Sequence, residues 1–229
     1  MSLHAIISYD DTQDDHDALM MGRVLAEAGA SLTLAYVRHA VQSRPDHEEL
    51  AHGEAEALLG RGADWLGRPE VGRRVVISPS TGQGLAWLAE QEHADLVAFG
   101  SDYRTRPGHV AVGRSAQTLL EGGPAALTIA PAGYRARYSG RIETIGVLPG
   151  SADEAAIETA FSLAAQFSAT VVDRGHGVDL LVVGSRPEAP EGRVMISSRS
   201  LSAIDDATAP VLVVARGVAL HFESRLLTA

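Results

Sequence analysis

Hydrophobic residues are grouped into short runs, and amphipathic segments lie between the runs. Helical spacing is clearest at Met21, Val24, Leu25 and Ala28, which occupy positions i, i+3, i+4 and i+7. Because near-continuous apolar strands alternate with such helices, residues 4–131 predict an open parallel sheet covered on both faces. Five strands are predicted in this half, at Ala5–Ser8, Leu32–Val37, Arg74–Ile77, Asp95–Gly100 and Ala126–Ala130.

The same alternation starts again after residues 132–140, a stretch rich in turn-forming residues that we interpret as a linker. Residues 141–218 predict a second domain, and residues 219–229, which carry little pattern, predict a tail. A helical face recurs at Ile157, Ala160, Phe161 and Ala164. Four further strands are predicted, at Thr144–Leu148, Thr170–Val172, Asp179–Gly184 and Val211–Val214.

An internal repeat relates the two halves. The segment Asp95-Leu-Val-Ala-Phe-Gly-Ser101 matches Asp179-Leu-Leu-Val-Val-Gly-Ser185 at an offset of 84, whereas Val24-Leu-Ala matches Ser162-Leu-Ala at an offset of 138. The difference between the two offsets is the length of chain missing from the second copy. The missing part corresponds to the second helix, third strand and third helix of the first copy. So short a copy buries little surface alone, and we expect it to pack on the first domain as an intramolecular pseudo-dimer. The predicted fold is α/β, a doubly wound open parallel sheet of order 3-2-1-4-5, in two tandem copies of which the second is truncated.

In a sheet of this order, ligands bind beyond the carboxyl ends of strands 1 and 4, where the strand order reverses. Strand 1 is followed by Asp10, strand 4 ends at Gly100, and the next helix starts near Gly113. Small residues and a helix N-terminus favour an anion such as phosphate. The alternative is a solvated loop whose arginines pair with nearby carboxylates. The loop carries the cationic candidates Arg104, Arg106, His109 and Arg114.

Several polar and aromatic residues have simpler interpretations. In the acidic segment 10–17, Asp14 or Asp15 is expected to cap the first helix, and the alternative is a Mg²⁺ site beside a nucleotide. Ser80 or Thr81, and Ser197 or Ser198, are further expected caps. The aromatic residues Trp65, Trp87 and Phe161 are expected in the core.

The composition of the chain excludes several classes of function. The chain of 229 residues has a net charge of −10 and no cysteine, which argues against nucleic-acid binding and excludes thiolate chemistry. No apolar run approaches the roughly 18 residues of a membrane span, and no secretory signal is visible, so we expect no membrane partner and a cytoplasmic location. The sequence contains no P-loop, nucleophile elbow or closely spaced histidine pair, and we assign no catalytic residue.

The segment from Gly100 to Ser115 resembles the universal stress protein family, which has the pattern G-x2-G-x9-G-[S/T] between strand 4 and helix 4. Tyr103 replaces the middle glycine, and Arg114 replaces the hydroxyl residue, which follows as Ser115. The second copy contains Gly184 and Ser197 at the corresponding spacing and ends in a typical Pro-Val-Leu-Val strand. The resemblance covers about residues 4–216.

The resemblance implies a five-stranded domain that pairs through its last strand, and regulatory roles connected with stress. A subset of the family binds ATP. In those members the strand-1 aspartate and an apolar strand-2 residue contact the adenosine, and the glycine-rich loop holds the phosphates. These positions are Asp10, Val37, Gly100 and Gly113 here, with Arg114 and Ser115 at the helix start.

We therefore expect a stress-type regulator with one degenerate adenine-nucleotide site and at most weak ATP hydrolysis. The second copy has Pro149 in place of the strand-1 aspartate and is expected to bind no nucleotide. The alternative is a dimerising interaction module without nucleotide, including a homodimer of the whole chain. An enzyme ranks last because neither a Ser-Gly-Gly-x-Asp nor a His-x-Gly-His signature is present. The position of Tyr103 distinguishes the nucleotide-binding regulator from the nucleotide-free module. Nucleotide can enter the crevice if the ring turns outward, and it is excluded if the ring fills the crevice.

Overall fold

The computed structural model describes residues 2–12, 15–39, 45–151 and 153–223. The helices are α1 (Asp15–Glu27), α2 (Pro45–Leu66), α3 (Thr81–Gln91), α4 (Arg114–Leu120), α5 (Tyr134–Arg137), α6 (Glu154–Phe167) and α7 (Ser198–Asp205). The strands are β1 (His4–Ser8), β2 (Ser31–His39), β3 (Gly72–Ser78), β4 (Leu96–Gly100), β5 (Glu121–Gly123), β6 (Ala126–Ala130), β7 (Thr144–Val147), β8 (Thr170–Val172), β9 (Leu180–Gly184), β10 (Val194–Met195) and β11 (Val211–Val214).

A central sheet of nine strands has the order β3-β2-β1-β4-β6-β11-β9-β7-β8. The first five strands are mutually parallel. Because β6 is the fifth strand of the predicted set, the expected order 3-2-1-4-5 is confirmed. The short antiparallel pair of β5 and β10 was not predicted, since segments of three and two residues show no recognisable alternation.

The sheet continues without a break into the second half of the chain. Strand β11 lies antiparallel to β6, with Leu212 opposite Thr128, and β9, β7 and β8 follow it in parallel. Every residue of β6 and β11 is buried, and the Thr128 hydroxyl donates to the carbonyl of Val211 at 2.9 Å. Counted outward from the contact of β6 with β11, the first half continues with β4, β1 and β2, and the second half with β9, β7 and β8. The corresponding strands of the two halves therefore lie in the same order.

The helices cover both faces of the sheet. Buried residues of α1, α2 and α6 form one hydrophobic cluster, and those of α3, α4 and α7 form another on the opposite face. The predicted face of α1 is buried as expected, whereas on the predicted face of α6 Ala160 and Ala164 are buried and Ile157 is 42% exposed. The core assignment of Trp87 and Phe161 is wrong, because these side chains are 54% and 60% exposed. Each lies beside the buried stripe of its helix, on the side that faces solvent.

The segment 132–140 holds the short helix α5 against α1. Asp17, which is 1% exposed, accepts hydrogen bonds from the backbone N–H groups of Gly133 at 2.7 Å and Arg135 at 2.8 Å. The Tyr138 hydroxyl donates to Glu27 at 3.0 Å. A carboxylate buried in this way fixes the course of the connection between the two halves.

The expectation of a free tail over 219–229 is wrong for its described part. Leu220 and Phe222 are buried, and their backbone N–H groups donate to hydroxyl oxygens on α6, those of Thr159 at 2.9 Å and Ser162 at 2.7 Å. The alternation of Leu220, His221 and Phe222 is the signal for this extended segment. Residues 224–229 lie outside the described residues.

No described helix has the length and apolar content that crossing a bilayer requires.

Replacing Asp17 with alanine is expected to lower the free energy of unfolding by about 2–4 kcal/mol, because two backbone donors and Arg135 lose a buried carboxylate. Urea denaturation measures the change. Asp64→Ala, at an exposed position of α2, is the matched control and is expected to shift stability by less than about 0.5 kcal/mol. Equal stability of the two variants would contradict the anchoring role of Asp17.

Candidate functional site

The site predicted at the ends of strands 1 and 4 lies at one edge of the sheet. Strands β1 and β4 are parallel neighbours, with Ala5 opposite Leu96 and Ile7 opposite Ala98. Asp10 lies just beyond β1 and is exposed, and Gly100, the last residue of β4, is half-buried. The connections from β1 and β4 leave on opposite sides of this point, which is where the strand order reverses.

A buried tyrosine and an arginine from α2 fix the loop after β1. The Tyr9 hydroxyl, on a side chain 1% exposed, donates to Asp11 Oδ1 at 2.7 Å. Arg61 donates from Nε at 2.8 Å and lies with Nη2 at 2.7 Å from Asp11 Oδ2. The hydrogen bonds from Tyr9 and Arg61 hold the pKa of the Asp11 carboxyl below its ordinary value. Sequence analysis missed Arg61, because a partner 50 residues away leaves no local signal.

Asp15 closes the same loop instead of capping α1. Its Oδ2 accepts from the backbone N–H of Asp10 at 2.9 Å, and from the N–H and hydroxyl of Thr12 at 3.0 and 2.8 Å. Burial, assisted by the neighbouring Asp10 side chain, raises the pKa of Asp15 to about 8. The helix-cap prediction is therefore wrong for Asp15, and Asp14 lies outside the described residues.

A metal site does not form in this part of the chain as far as it is described: no group of three or more histidine, aspartate or glutamate side chains is placed to hold an ion. The carboxylates of Asp11, Asp15 and Asp17 are directed to the partners named above.

The glycine-rich loop between β4 and α4 is anchored by Ser101. The Ser101 hydroxyl donates to the carbonyl of Ala130 at 2.7 Å and accepts from the N–H of Ala111 at 3.2 Å. The N–H of Gly108 donates to the carbonyl of Ala132 at 2.7 Å. These bonds tie the loop to the end of β6 and set its height above the sheet.

Tyr103 turns outward. Its side chain is 69% exposed, its hydroxyl accepts from Arg104 Nε at 2.6 Å, and the Arg104 guanidinium lies 4.9 Å from the ring centroid. Arg106 donates to Nε2 of His109 at 3.0 Å. Arg104 and Arg106 thus contact ring side chains of the loop, where the alternative interpretation expected carboxylates. The Tyr103 ring does not fill the crevice.

The start of α4 presents an open backbone. Gly113 is the N-cap residue and no side chain caps the helix; a Cβ atom at this position would meet no atom within 4 Å. Arg114 is exposed and Ser115 is half-buried beside it. Val37, in contrast, is 6% exposed and contacts α3 at Gly84, so its side chain belongs to the core.

The second half repeats the anchoring bonds of this loop. The Ser185 hydroxyl donates to Val214 at 2.8 Å and accepts from Met195 at 3.2 Å, and Gly192 donates to Arg216 at 2.9 Å. Each residue follows its counterpart in the first loop by 84 positions.

A cavity of about 240 Å³ lies at the carboxyl edge of the second half. Ser197 caps α7, as predicted, and accepts from the N–H of Ser200 at 3.1 Å. The prediction that Pro149 occupies the position of Asp10 is wrong. In the second half Ile145 lies opposite Leu180, as Ala5 lies opposite Leu96 in the first. Counted from these pairs, the residue that corresponds to Asp10 is Gly150. The cavity is lined by Gly150, Ser151, Asp153, Gly184, Ser185, Arg186, Pro187, Ser197, Ser200 and Arg216.

The free energy of unfolding of Asp15→Asn is expected to increase relative to that of the wild type as pH rises from 4 to 8. The unfolded chain ionises Asp15 near its ordinary pKa of 3.8, whereas the folded chain resists ionisation until about pH 8, so stability is lost across this window. The difference in free energy of unfolding should grow by more than about 1 kcal/mol. Thermal melts at four pH values measure it, with Asp64→Asn as control. Parallel pH profiles of wild type and Asp15→Asn would contradict the raised pKa.

Comparisons with known proteins agree with the fold. Residues 1–131 match the Universal stress protein family. A universal stress protein from Archaeoglobus fulgidus DSM 4304 aligns over 93% of this chain and 98% of its own, with 14% identity and a TM-score of 0.69. A putative universal stress protein from Pseudomonas aeruginosa UCBPP-PA14 aligns over 93% of this chain and 92% of its own, with 14% identity and a TM-score of 0.62.

A universal stress protein in complex with cAMP aligns over 43% of this chain and 75% of its own, with 20% identity. Its TM-score of 0.37 is too low for a comparison of sites. Among curated proteins, none is similar enough to this chain to count as a match. The family match spans more than half of the chain, and the chain therefore belongs to the universal stress protein family.

Proposed function

We propose that this chain is a regulatory, cytoplasmic universal stress protein with one adenine-nucleotide site in its first half. The observation that carries the proposal is the outward position of Tyr103, whose side chain is 69% exposed. The replaced glycine therefore does not block the crevice between the ends of β1 and β4, and the nucleotide-free alternative loses its main support.

The first half offers the groups that such a ligand requires. Asp10 is accessible beside the crevice and is the residue proposed to contact the sugar. The side chain of Val37 is buried, so only the backbone of β2 at this position is proposed to border the base. Gly100 and Gly113 let backbone N–H groups approach the phosphates, and the charge of Arg114 favours an anion. Ser115, one position into α4, supplies a hydroxyl.

We further propose that the second half is a shortened copy of the first and binds no nucleotide. Three observations support this: the antiparallel pairing of β6 with β11, the matching sequence of strands outward from that pair, and the loop bonds repeated at an offset of 84. Gly150 has no side chain where the first half has Asp10. The cavity of about 240 Å³ is also smaller than the roughly 300–1,000 Å³ of typical ligand pockets.

An interaction role remains the second candidate. On α6, Ile157 and Phe161 stand one turn apart and are 42% and 60% exposed. Exposed apolar side chains in this arrangement favour contact with a partner protein, including a second copy of the chain.

Asp10→Ala is expected to weaken ATP binding at least tenfold, because a carboxylate hydrogen bond contributes about 1.5–3 kcal/mol. Isothermal titration calorimetry gives the affinity, and mass spectrometry of the native purified protein identifies any retained nucleotide. Asp173→Ala, at the end of β8, is the matched control and should bind as the wild type does. An unchanged affinity in Asp10→Ala would move the site elsewhere.

Removal of residues 141–229 is expected to leave β6 as an unpaired, apolar edge strand that associates with other chains. Sedimentation velocity should show dimers or larger species of the fragment. In the intact chain this edge of β6 is already covered by β11. A monomeric fragment with the melting temperature of the full chain would contradict the proposed dependence of the first half on the second.

A further inference from the structure

A small polar cavity lies beneath the connection between the two halves. Its volume is about 160 Å³, and its lining includes none of the residues proposed for the nucleotide crevice. Asp179 and Pro210 precede β9 and β11, so the cavity lies at the amino-terminal edge of the second half of the sheet. It is lined by Tyr134, Arg137, Tyr138, Ser139, Arg141, Ile142, Val178, Asp179, Thr208, Ala209 and Pro210.

The buried wall of this cavity carries an unused hydrogen-bond donor. Tyr134 is 7% exposed, and its hydroxyl has no hydrogen-bond partner within the described ranges. Burial raises the pKa of this phenol far above its ordinary value, so the hydroxyl stays protonated and can donate. An unpartnered polar atom at this depth costs about 1–3 kcal/mol. The hydroxyl lies just beneath the cavity surface, so an acceptor that enters from the cavity and reaches it would recover that energy.

Two arginines stand at the mouth. Arg137 lies directly against Gly108 and makes no ion pair or hydrogen bond in the part of the chain that the structure describes. Arg141 has Glu143 at 3.8 Å, but the two side chains are 78% and 71% exposed, so water competes for this pair. Ser139 adds a hydroxyl on the same side.

The carboxylate of Asp179, which lines the cavity, does not neutralise the two arginines at the mouth. Asp179 Oδ2 accepts from the backbone N–H groups of Glu143 at 2.9 Å and Thr144 at 2.8 Å, and these bonds stabilise its charge where the strand begins. Within the described residues Asp179 forms no ion pair with Arg137 or Arg141, so an oxyanion held by these arginines has to lie away from the Asp179 carboxylate.

We propose that this cavity binds a small oxyanion of the phosphate class, with Tyr134 donating from the buried wall and Arg137 and Arg141 closing over it. Donors without acceptors and cations without close partners are the groups that a compact oxyanion satisfies. A volume of about 160 Å³ admits such an ion with a few waters and excludes a nucleotide. The site goes beyond the proposed function, since it uses no residue of the adenine-nucleotide crevice.

The test is a titration of the full-length protein with inorganic phosphate, against chloride at matched ionic strength. Differential scanning fluorimetry and calorimetry should show saturable stabilisation of the wild type by phosphate. Tyr134→Phe, which removes one oxygen, and Arg137→Gln should each weaken the apparent affinity at least fivefold. Arg174→Gln, at an exposed position away from the cavity, should respond as the wild type does.

Without phosphate, Tyr134→Phe should melt no lower than the wild type, because an unpartnered buried hydroxyl has been removed. A lower melting temperature would show that protein or water already satisfies the hydroxyl and would count against the site. The proposal is also overturned if the wild type shows no phosphate effect, or if Tyr134→Phe retains the full effect.

Asp10→Ala separates this site from the proposed nucleotide site. Loss of the phosphate response in Asp10→Ala, with retention in Tyr134→Phe, would place phosphate in the front crevice and overturn the present inference. Retention in Asp10→Ala with loss in Tyr134→Phe supports it, whether or not ATP binds at Asp10.

Discussion

The antiparallel contact between β6 and β11 is the interaction on which the rest of the structure depends. All residues of both strands are buried, and the Thr128 hydroxyl adds a bond across the contact to Val211. It joins two parallel sets of strands into one sheet of nine. A set of four short strands would bury little by itself, so the second half gains its stability from this junction.

The junction also determines what surrounds the functional loop. Ser101 binds the carbonyl of Ala130 at the end of β6, and Val110 donates to the carbonyl of Ala207 from the second half at 2.9 Å. The loop that borders the proposed nucleotide crevice is thereby held from both halves. A change in the second half can reach this loop through a short set of hydrogen bonds, which suits a regulatory protein better than an isolated binding domain.

The acidic loop after β1 shows how neighbouring carboxyls acquire different charge states. Asp11 is stabilised as an anion by Tyr9 and Arg61, whereas burial favours the neutral form of Asp15. Asp10 stays accessible between them. The loop thus keeps negative charge low next to a crevice proposed to take phosphates, which a fully ionised run of aspartates would repel.

The sequence by itself predicted the strand order of the first half, because alternating strands and helices indicate a doubly wound sheet and 3-2-1-4-5 is a common order for that fold. It also predicted the buried face of α1, because apolar periodicity reports directly which side of a helix leaves water. It also located the Ser197 cap, which depends on neighbouring residues alone. It misplaced Trp87, Phe161, Asp15 and residues 219–223. Only the tertiary structure decided these. Asp15 turns to neighbouring groups of its own loop, whereas the packing of residues 219–223 and the pairing of Arg61 with Asp11 depend on groups brought together from distant parts of the chain. The unpartnered hydroxyl of Tyr134 likewise follows from burial that the sequence does not show.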